Sequence, residues 1–399
     1  MCSEWNKLIK KEVLMTKLLQ RWTHFPPRLQ LVGKARENVT SLFCNDVHIF
    51  CGQENGLIGV YSMTGEWIGE LVPGHSTMSK KRDVISHTLV AGSGGTVATL
   101  TWRRTLTLWR CSSRNGDISQ ISSFCHKNNR CQNDSCACHQ HIYIPAIKVV
   151  DENKMIFVAE ISSRPPHSCH SSLMMTKRSN SGWETVLVVD SAYIALGCLG
   201  DYFYLTAKKK FSFGSARKDF PGWYDNSHHF DTDDLPLVRQ DEHIRHSERI
   251  ILEPPFLISL IKLGGLVVYN MESNKPIKTI KQSEDKDRAM IVNLDLIAND
   301  LVVAHKVCKL APNDVSRDFN HIAIYDKKIL LDPRVPTEAV PIQKVYVDMD
   351  LVDKKMSMNT TSIVFARTSF SRKPVEKEIQ VLNFWLKQEE TDVQEKAGN

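Results

Sequence analysis

From Leu29 onward the chain alternates short runs of branched and aromatic residues with Gly, Asn, Asp and Pro, the spacing of strands and turns. Each of Val39–Cys44, Val47–Cys51, Val97–Trp102, Ile156–Ile161, Tyr202–Thr206, Phe256–Ile261, Leu301–Ala304, Ile322–Tyr325 and Ile363–Ala366 is predicted to be a strand. Helical periodicity is confined to the start. Between residues 3 and 22, Trp5, Leu8, Ile9, Val13, Thr16 and Leu19 fall near helical spacing, with Lys7, Lys10, Lys11 and Lys17 between them. Ser3 is placed to cap this helix and Pro26-Pro27 to stop it. The pattern predicts a short helix that docks its apolar stripe on an all-β body.

A core of the form branched-x-branched-aromatic recurs along that body. It reads Ile58-Gly59-Val60-Tyr61, Leu106-Thr107-Leu108-Trp109, Leu266-Val267-Val268-Tyr269 and Ile322-Ala323-Ile324-Tyr325, with a weaker copy at Ile379-Gln380-Val381-Leu382. Measured at the fourth residue the steps are 48, 160, 56 and 57. The long gap divides into three steps of about 53, which implies seven units. The Tyr61 and Tyr269 copies agree further, with Gly56 and Gly264 five residues before the aromatic and Met63 and Met271 two after it.

This spacing resembles the WD-repeat family, whose four-stranded blades run to about 40–45 residues. The resemblance spans Leu29 to Lys387 and makes each core the third strand of a blade. It implies an all-β, seven-bladed propeller with degenerate repeats. The Asp that usually follows the aromatic is present as Asp326, where Ser62, Arg110 and Asn270 stand in other copies. His75, after Pro73-Gly74, is the trace of the usual Gly-His pair. The Leu29–Val32 run is placed to pair with the last blade and close the ring, leaving no open sheet edge. Two packed β-sandwich domains are the alternative architecture.

Composition narrows the class. The chain has 399 residues, 42% hydrophobic and 24% charged, an ordinary globular balance with a mild surplus of six positive charges. No apolar run approaches the ~18 residues a membrane helix needs. The opening Met1-Cys2-Ser3-Glu4-Trp5 carries no apolar core with a cleavage site, so the expectation is an intracellular protein, cytoplasmic or nuclear. Eleven cysteines, an odd count, then read as reduced thiols or metal ligands. Sequons at Asn38, Asn133 and Asn359 carry no meaning there.

Trp5-Asn6-Lys7-Leu8-Ile9-Lys10-Lys11-Glu12, then Leu18-Leu19-Gln20-Arg21-Trp22, then a propeller, is similar to the F-box/WD-repeat proteins just after their F-box. The expected domains are a helical segment 1–27 resembling that linker, a propeller 28–388 and a disordered tail 389–399. Four residues precede Trp5, so the three-helix F-box itself is expected to be missing or truncated. The resemblance implies a substrate receptor of an SCF-type ubiquitin ligase, with a Skp-type adaptor and a cullin as partners and a substrate on the propeller face.

Between Cys125 and His170 stand five cysteines and five histidines: Cys125, His126, Cys131, Cys136, Cys138, His139, His141, His167, Cys169 and His170. Thiolate and imidazole are what zinc selects, and four of them close a structural tetrahedron. Cys131, Cys136, Cys138 and His139 are the first candidate ligands, Cys169 and His170 the next. No Cys-x-x-Cys occurs, and the alternative is a polar insertion that accumulates free thiols. The two groups flank an expected antiparallel pair, Ile142–Val150 and Met155–Ile161, which brings them to the same end of one sheet.

Other chemistry is thin. His228-His229 with Asp231, Asp233, Asp234, Asp241, Glu242, His243 and His246 reads as a solvated insertion. Ala91-Gly92-Ser93-Gly94-Gly95-Thr96 lacks the Lys of a phosphate loop and reads as a hairpin turn. Asp348 and Asp350 share a side of an expected strand without forming a site. No Gly-x-Ser-x-Gly elbow, His-Glu-x-x-His pair or kinase set appears. Lys80-Lys81-Arg82, Arg103-Arg104 and Lys208-Lys209-Lys210 read as charged strand edges rather than a nucleic-acid surface. Trp183, Trp223, Tyr224 and Arg217 are the rim candidates for contact. The reading is a non-catalytic protein-interaction propeller, not an enzyme, with structural zinc as the one cofactor to consider. A general scaffold with a zinc-binding insertion and a metal-dependent enzyme using the 125–170 cluster are the rivals.

Overall fold

The structure is a computed structural model. It describes residues 2–25, 27–35, 37–73, 88–93, 95–101, 105–112, 116–125, 142–151, 154–161, 170–179, 182–191, 195–199, 202–207, 210–215, 228–231, 250–253, 256–260, 266–270, 275–280, 288–297, 301–309, 319–335, 342–347, 356–369 and 376–384. The expected tail 389–399 lies outside them.

Helix α1 (Cys2–His24) ends two residues before Pro26, as proline requires, and leads into β1 (Arg28–Lys34). The strands that follow pair, in chain order, into antiparallel sheets of four. Sheet 1 holds β2 (Val39–Cys44), β3 (His48–Gln53), β4 (Ile58–Ser62) and β5 (Trp67–Leu71). Sheet 2 holds β6 (Thr88–Ser93), β7 (Thr96–Thr101), β8 (Thr105–Cys111) and β9 (Ile118–Cys125). Sheet 3 holds β10 (Ile142–Asp151), β11 (Lys154–Ile161), β12 (His170–Ser179) and β13 (Gly182–Ser191). Sheet 4 holds β14 (Ala195–Leu199), β15 (Tyr202–Ala207), β16 (Lys210–Ser215) and β17 (His228–Asp231). Sheet 5 holds β18 (Ile250–Glu253), β19 (Phe256–Leu260), β20 (Leu266–Asn270) and β21 (Lys275–Ile280). Sheet 6 holds β22 (Arg288–Ile297), β23 (Leu301–Lys309), β24 (Phe319–Asp326) and β25 (Gln343–Val347), with α2 (Lys327–Leu331) between its last two strands. Sheet 7 holds β26 (Met356–Met358), β27 (Ser362–Ser369) and β28 (Glu376–Asn383), and takes β1 as its fourth strand.

The first strands of successive sheets lie side by side in cyclic order: β2 by β6, β6 by β10, β10 by β14, β14 by β18, β18 by β22, β22 by β26 and β26 by β2. The chain is therefore an all-β propeller with a short N-terminal helix. All five copies of the branched-x-branched-aromatic core fall in third strands: β4, β8, β20, β24 and β28. Sandwiched sheets explain the pattern. Ile58, Val60 and Tyr61 are all buried, as are Ile322, Ile324 and Tyr325, because neighbouring sheets cover both faces of a third strand. In the outer strand β5, by contrast, Trp67, Ile68 and Glu70 are exposed.

Two of the core aromatics form hydrogen bonds across strands. Trp109 donates its indole N–H to Thr99 Oγ1 at 3.0 Å within sheet 2. Tyr61 donates its hydroxyl to the Lys34 carbonyl at 2.9 Å, crossing from sheet 1 to β1. Gly33 makes room for it, at a point where the β1–β28 register shifts: a Cβ there would sit 2.7 Å from Tyr61 Cε1. From the same turn of sheet 1, Thr64 accepts from Gln30 Nε2 at 3.1 Å. The ring-closing strand is thus held from both sides, by β28 through its backbone and by sheet 1 through side chains. Asp326 does not extend the WD pattern but caps α2, accepting from Lys328 N at 2.7 Å. β6 and β7 form the expected hairpin, with Ser93 opposite Thr96.

Candidate functional site

Because each sheet runs antiparallel from first strand to fourth, its connections divide between two faces. Those from first to second and from third to fourth strand leave one face; those from second to third, and from sheet to sheet, leave the other. The first face carries both helices, α1 and α2.

On that face α1 docks by its last turns. Trp22 is fully buried, stacks on Phe384 at 3.8 Å and donates its indole N–H to the Thr360 carbonyl at 2.9 Å. Leu18 lies one turn earlier in the same core, with Met15 and Leu19 at its margin, against Val303, Ile324, Val345, Ile363 and Leu382 of sheets 6 and 7. Gln343 Nε2 donates to the Phe25 carbonyl at 3.0 Å, and the Arg21 guanidinium lies 4.6 Å over the Phe25 ring. The docking stripe is therefore not the one the periodicity predicted. Ile9 and Val13, expected to be buried, are about half exposed together with Leu14.

Beside the helix, two asparagines in equivalent turns lock sheet 7 to sheet 1. Asn45 Oδ1 accepts from Val47 N and His48 N, and Asn359 Oδ1 accepts from Thr361 N and Ser362 N. Each side chain takes the place of a backbone turn bond. Asn359 Nδ2 then donates to the Asn45 carbonyl at 2.8 Å, so the sequon at Asn359 is a structural joint. On the other flank of sheet 1, His48 is buried edge-on to Phe50 and bonded to the Gly116 backbone. Burial holds its imidazole below the ordinary 6.5, the Gly116 bond offsetting part of the effect.

Sheets 5 and 6 are joined through α2. Lys278, on the outer strand of sheet 5, is buried and donates its ammonium to the Ile329 carbonyl at 2.8 Å, at the C-terminal end of that helix. Asp332 holds both this charge and Arg334, which donates to it at 2.9 Å and lowers its carboxyl to about 2. Tyr325 and Cys51 are pushed up by burial. Burial accounts for Tyr325 and Cys51, and hydrogen bonds from Arg334 account for Asp332. Among the described residues no three His, Cys, Asp or Glu side chains gather where they could hold a metal ion.

On the other face lie the strand ends that lead from sheet to sheet, among them Leu71 and Thr88, Cys125 and Ile142, and Asp231 and Ile250. The candidate ligands Cys131, Cys136, Cys138, His139 and Cys169 lie outside the described residues. His170 opens β12, with its backbone placed and its side chain outside the description. The expected strand pair is present as β10 and β11, with Ile142 opposite Ile161 and Ile161 opposite His170. His228, His229 and Asp231, read as part of a solvated insertion, instead form β17, the fourth strand of sheet 4. The runs Lys80–Arg82, Arg103-Arg104 and Lys208-Lys209, His75, Asp348, Asp350, Arg217, Trp223 and Tyr224 lie outside the described residues, and Trp183 is placed in β13 by its backbone. The bond from Asn359 to the Asn45 carbonyl and the Lys278 latch had no signal in residue spacing, since their partners are far apart in sequence.

No family model matches the sequence, and no curated protein matches it. Among solved structures the chain is similar to U3-55K, with 10% identity, a TM-score of 0.54, and 90% of this chain and 99% of that one covered. It is similar in the same way to the RRP9 WD40 repeats, with 10% identity, a TM-score of 0.55, and 90% and 98% covered. At such identity the likeness is one of fold: a WD40-type propeller. Among the described residues no helix is long and apolar enough to cross a membrane.

Proposed function

We propose that this chain is a non-catalytic protein-recognition propeller that serves as the substrate-binding subunit of an SCF-type ubiquitin ligase. The observation that carries the reading is the union of α1 with the ring through Trp22, Phe384 and Thr360. A receptor must hold its substrate at a fixed distance from the rest of the ligase. A helix anchored by a buried indole and continuous with the ring-closing strand transmits position from a partner gripping residues 1–14 to the propeller. The similarity of Trp5–Glu12 and Leu18–Trp22 to the post-F-box linker supports that role for the helix, and the absence of any organised catalytic set in the sequence supports recognition rather than turnover. The face receiving the sheet-to-sheet connections, opposite the helix, is then where substrate sits.

The test mixes the purified chain with a Skp-type adaptor bound to cullin and measures complex formation by calorimetry and size-exclusion chromatography. A complex with the whole chain, lost when residues 1–27 are removed, supports the ligase role. No association at tens of micromolar overturns it, and recovery of a different partner from cells would then leave a propeller scaffold.

A further inference from the structure

We infer that the outward side of α1 is the docking surface for an acidic amphipathic helix of a partner protein, a conclusion that goes beyond the ligase reading and does not depend on it. Glu12, Val13 and Leu14 are consecutive, about 100° apart around the helix, and all three are exposed. At that level no side of the helix rests on the ring, whereas one turn further on Leu18 is buried, and Trp22 after it. The turns that precede Met15 therefore form a helix without a packing surface, and an unpacked helical stretch of that length is only marginally stable in water. Ile9, Val13 and Leu14 are each about half exposed there. Phe25 extends the helix by donating its backbone N–H to the Arg21 carbonyl at 3.3 Å, and its ring is exposed to a similar degree.

Charge decides the occupant. At helical spacing the positions of Ile9, Val13, Leu14 and Phe25 span an arc of about 160°, turned away from Leu18 and Trp22. Lys7, Lys10, Lys17 and Arg21 hold positions on the same arc, and the two acids of the helix, Glu4 and Glu12, fall outside it. Lys17 and Arg21 stand between Leu14 and Phe25 along the strip. The Arg21 guanidinium, held 4.6 Å over the Phe25 ring, joins charge and apolar surface at one place. A second copy of this helix would set lysine against lysine. A lipid surface would draw the interleaved charges towards the acyl chains together with Leu14 and Phe25, because basic and apolar positions share one arc instead of taking opposite sides. Nucleic-acid phosphates would pair with the charges and leave the apolar side chains in water. A helix with apolar residues one turn apart and Asp or Glu between them meets both needs. Its apolar side covers Ile9, Val13, Leu14 and Phe25, and its carboxylates reach Lys17 and Arg21.

The full chain is titrated into a dye-labelled synthetic helix of about six turns, with Leu at heptad positions a and d and Glu at e and g, and binding is followed by fluorescence anisotropy. A matched peptide with Lys in place of Glu, and phosphatidylserine–phosphatidylcholine vesicles, are titrated alongside. The acidic peptide should bind at least about tenfold more tightly than the basic one. Lys17→Glu/Arg21→Glu should weaken it about tenfold, and Val13→Ser/Leu14→Ser about fivefold, with the circular dichroism of strands and helix kept. Amides of Ile9–Lys17 should exchange more slowly in the wild-type chain when the acidic peptide is present. Equal affinity for the two peptides, no binding of the acidic one at about 100 µM, or full affinity in Lys17→Glu/Arg21→Glu overturns the proposal. Vesicle binding in place of peptide binding also overturns it, in favour of a lipid surface. Should a variant not fold, exchange in the wild-type chain decides: no slowing in α1 with the acidic peptide in excess overturns the docking. No adaptor or cullin enters the assay, so this inference and the ligase reading fail separately.

Discussion

The ring of Trp22 lies on the ring of Phe384 with centroids 3.8 Å apart and planes 17° from parallel, so the last turn of α1 rests on the residue that follows β28. The two ends of the described chain meet there. Trp22→Ala removes the stack, the Thr360 bond and a fully buried indole, a loss of about 3–5 kcal/mol. Melting should drop accordingly, and the amides of Leu18–Thr23 should exchange as if solvated. Trp22→Phe keeps the stack and should lose only about 1 kcal/mol. Unchanged helix exchange in Trp22→Ala would mean that Leu18 and the backbone suffice to dock α1.

Gly33 faces Tyr61 across the ring closure. Gly33→Ala places a Cβ 2.7 Å from Tyr61 Cε1, and neither β1 nor the buried ring can retreat freely. The expected cost is about 1–3 kcal/mol by denaturant titration. Adding Tyr61→Leu removes the clash, so the double variant should be less destabilised than the two single losses summed. Additive losses would place the strain elsewhere.

His48 gives the fold a direction of pH sensitivity. Its imidazole is held below 6.5, so below that pH the unfolded chain binds more protons than the folded one. The contribution is complete above about 6.5 and declines as pH falls towards the lowered value. Melting temperature should therefore fall more steeply from pH 7 to 5 in the wild-type chain than in His48→Gln. Equal slopes would assign the acid sensitivity to other groups.

Cys44, Cys51 and Cys111 are buried and free, with Cys111 pushed up to about 11 and Cys51 higher still by burial beside Cys44. A thiol so raised carries almost no thiolate at neutral pH. Iodoacetamide at pH 7.5 should leave these three unlabelled in the native chain and label them on unfolding, read by peptide mass mapping. Labelling within minutes in buffer would show sheets 1 and 2 opening.

The third strands were legible because a strand covered on both sides must be apolar at every position, and Ile58–Tyr61 or Ile322–Tyr325 cannot be mistaken for half-exposed strands. Although the pair 142–150 and 155–161 and the strand 202–206 were read from the sequence, the repeat itself in sheets 3 and 4 was legible only as a gap. Their third strands, β12 and β16, carry Leu173-Met174-Met175 and Phe211-Ser212-Phe213 instead of the motif, and long connections stretch the period around them. The helix was legible as a helix but not as a docking surface. Its periodicity ranked Ile9 and Val13 with Leu19, whereas the partner surface from Thr360 to Phe384 reaches only the turns from Met15 to Phe25. The Asn359–Asn45 joint and the Lys278 latch were invisible because each pairing is set by the ring and not by neighbours in sequence.

Arg28 opposite Asn383 also fixes a timetable. During synthesis β1 emerges first and its pairing partner β28 nearly last. At about 5–20 residues per second the interval is on the order of half a minute. Throughout it the strand offers unpaired amides with Leu29, Leu31 and Val32, while sheets 1 to 6 form one after another beside it. Closing so long a loop is slow. Chaperone dependence and the yield of soluble chain should consequently be governed by β1 more than by any other strand, and substitutions there should reduce recovery on expression before they reduce the stability of what is recovered.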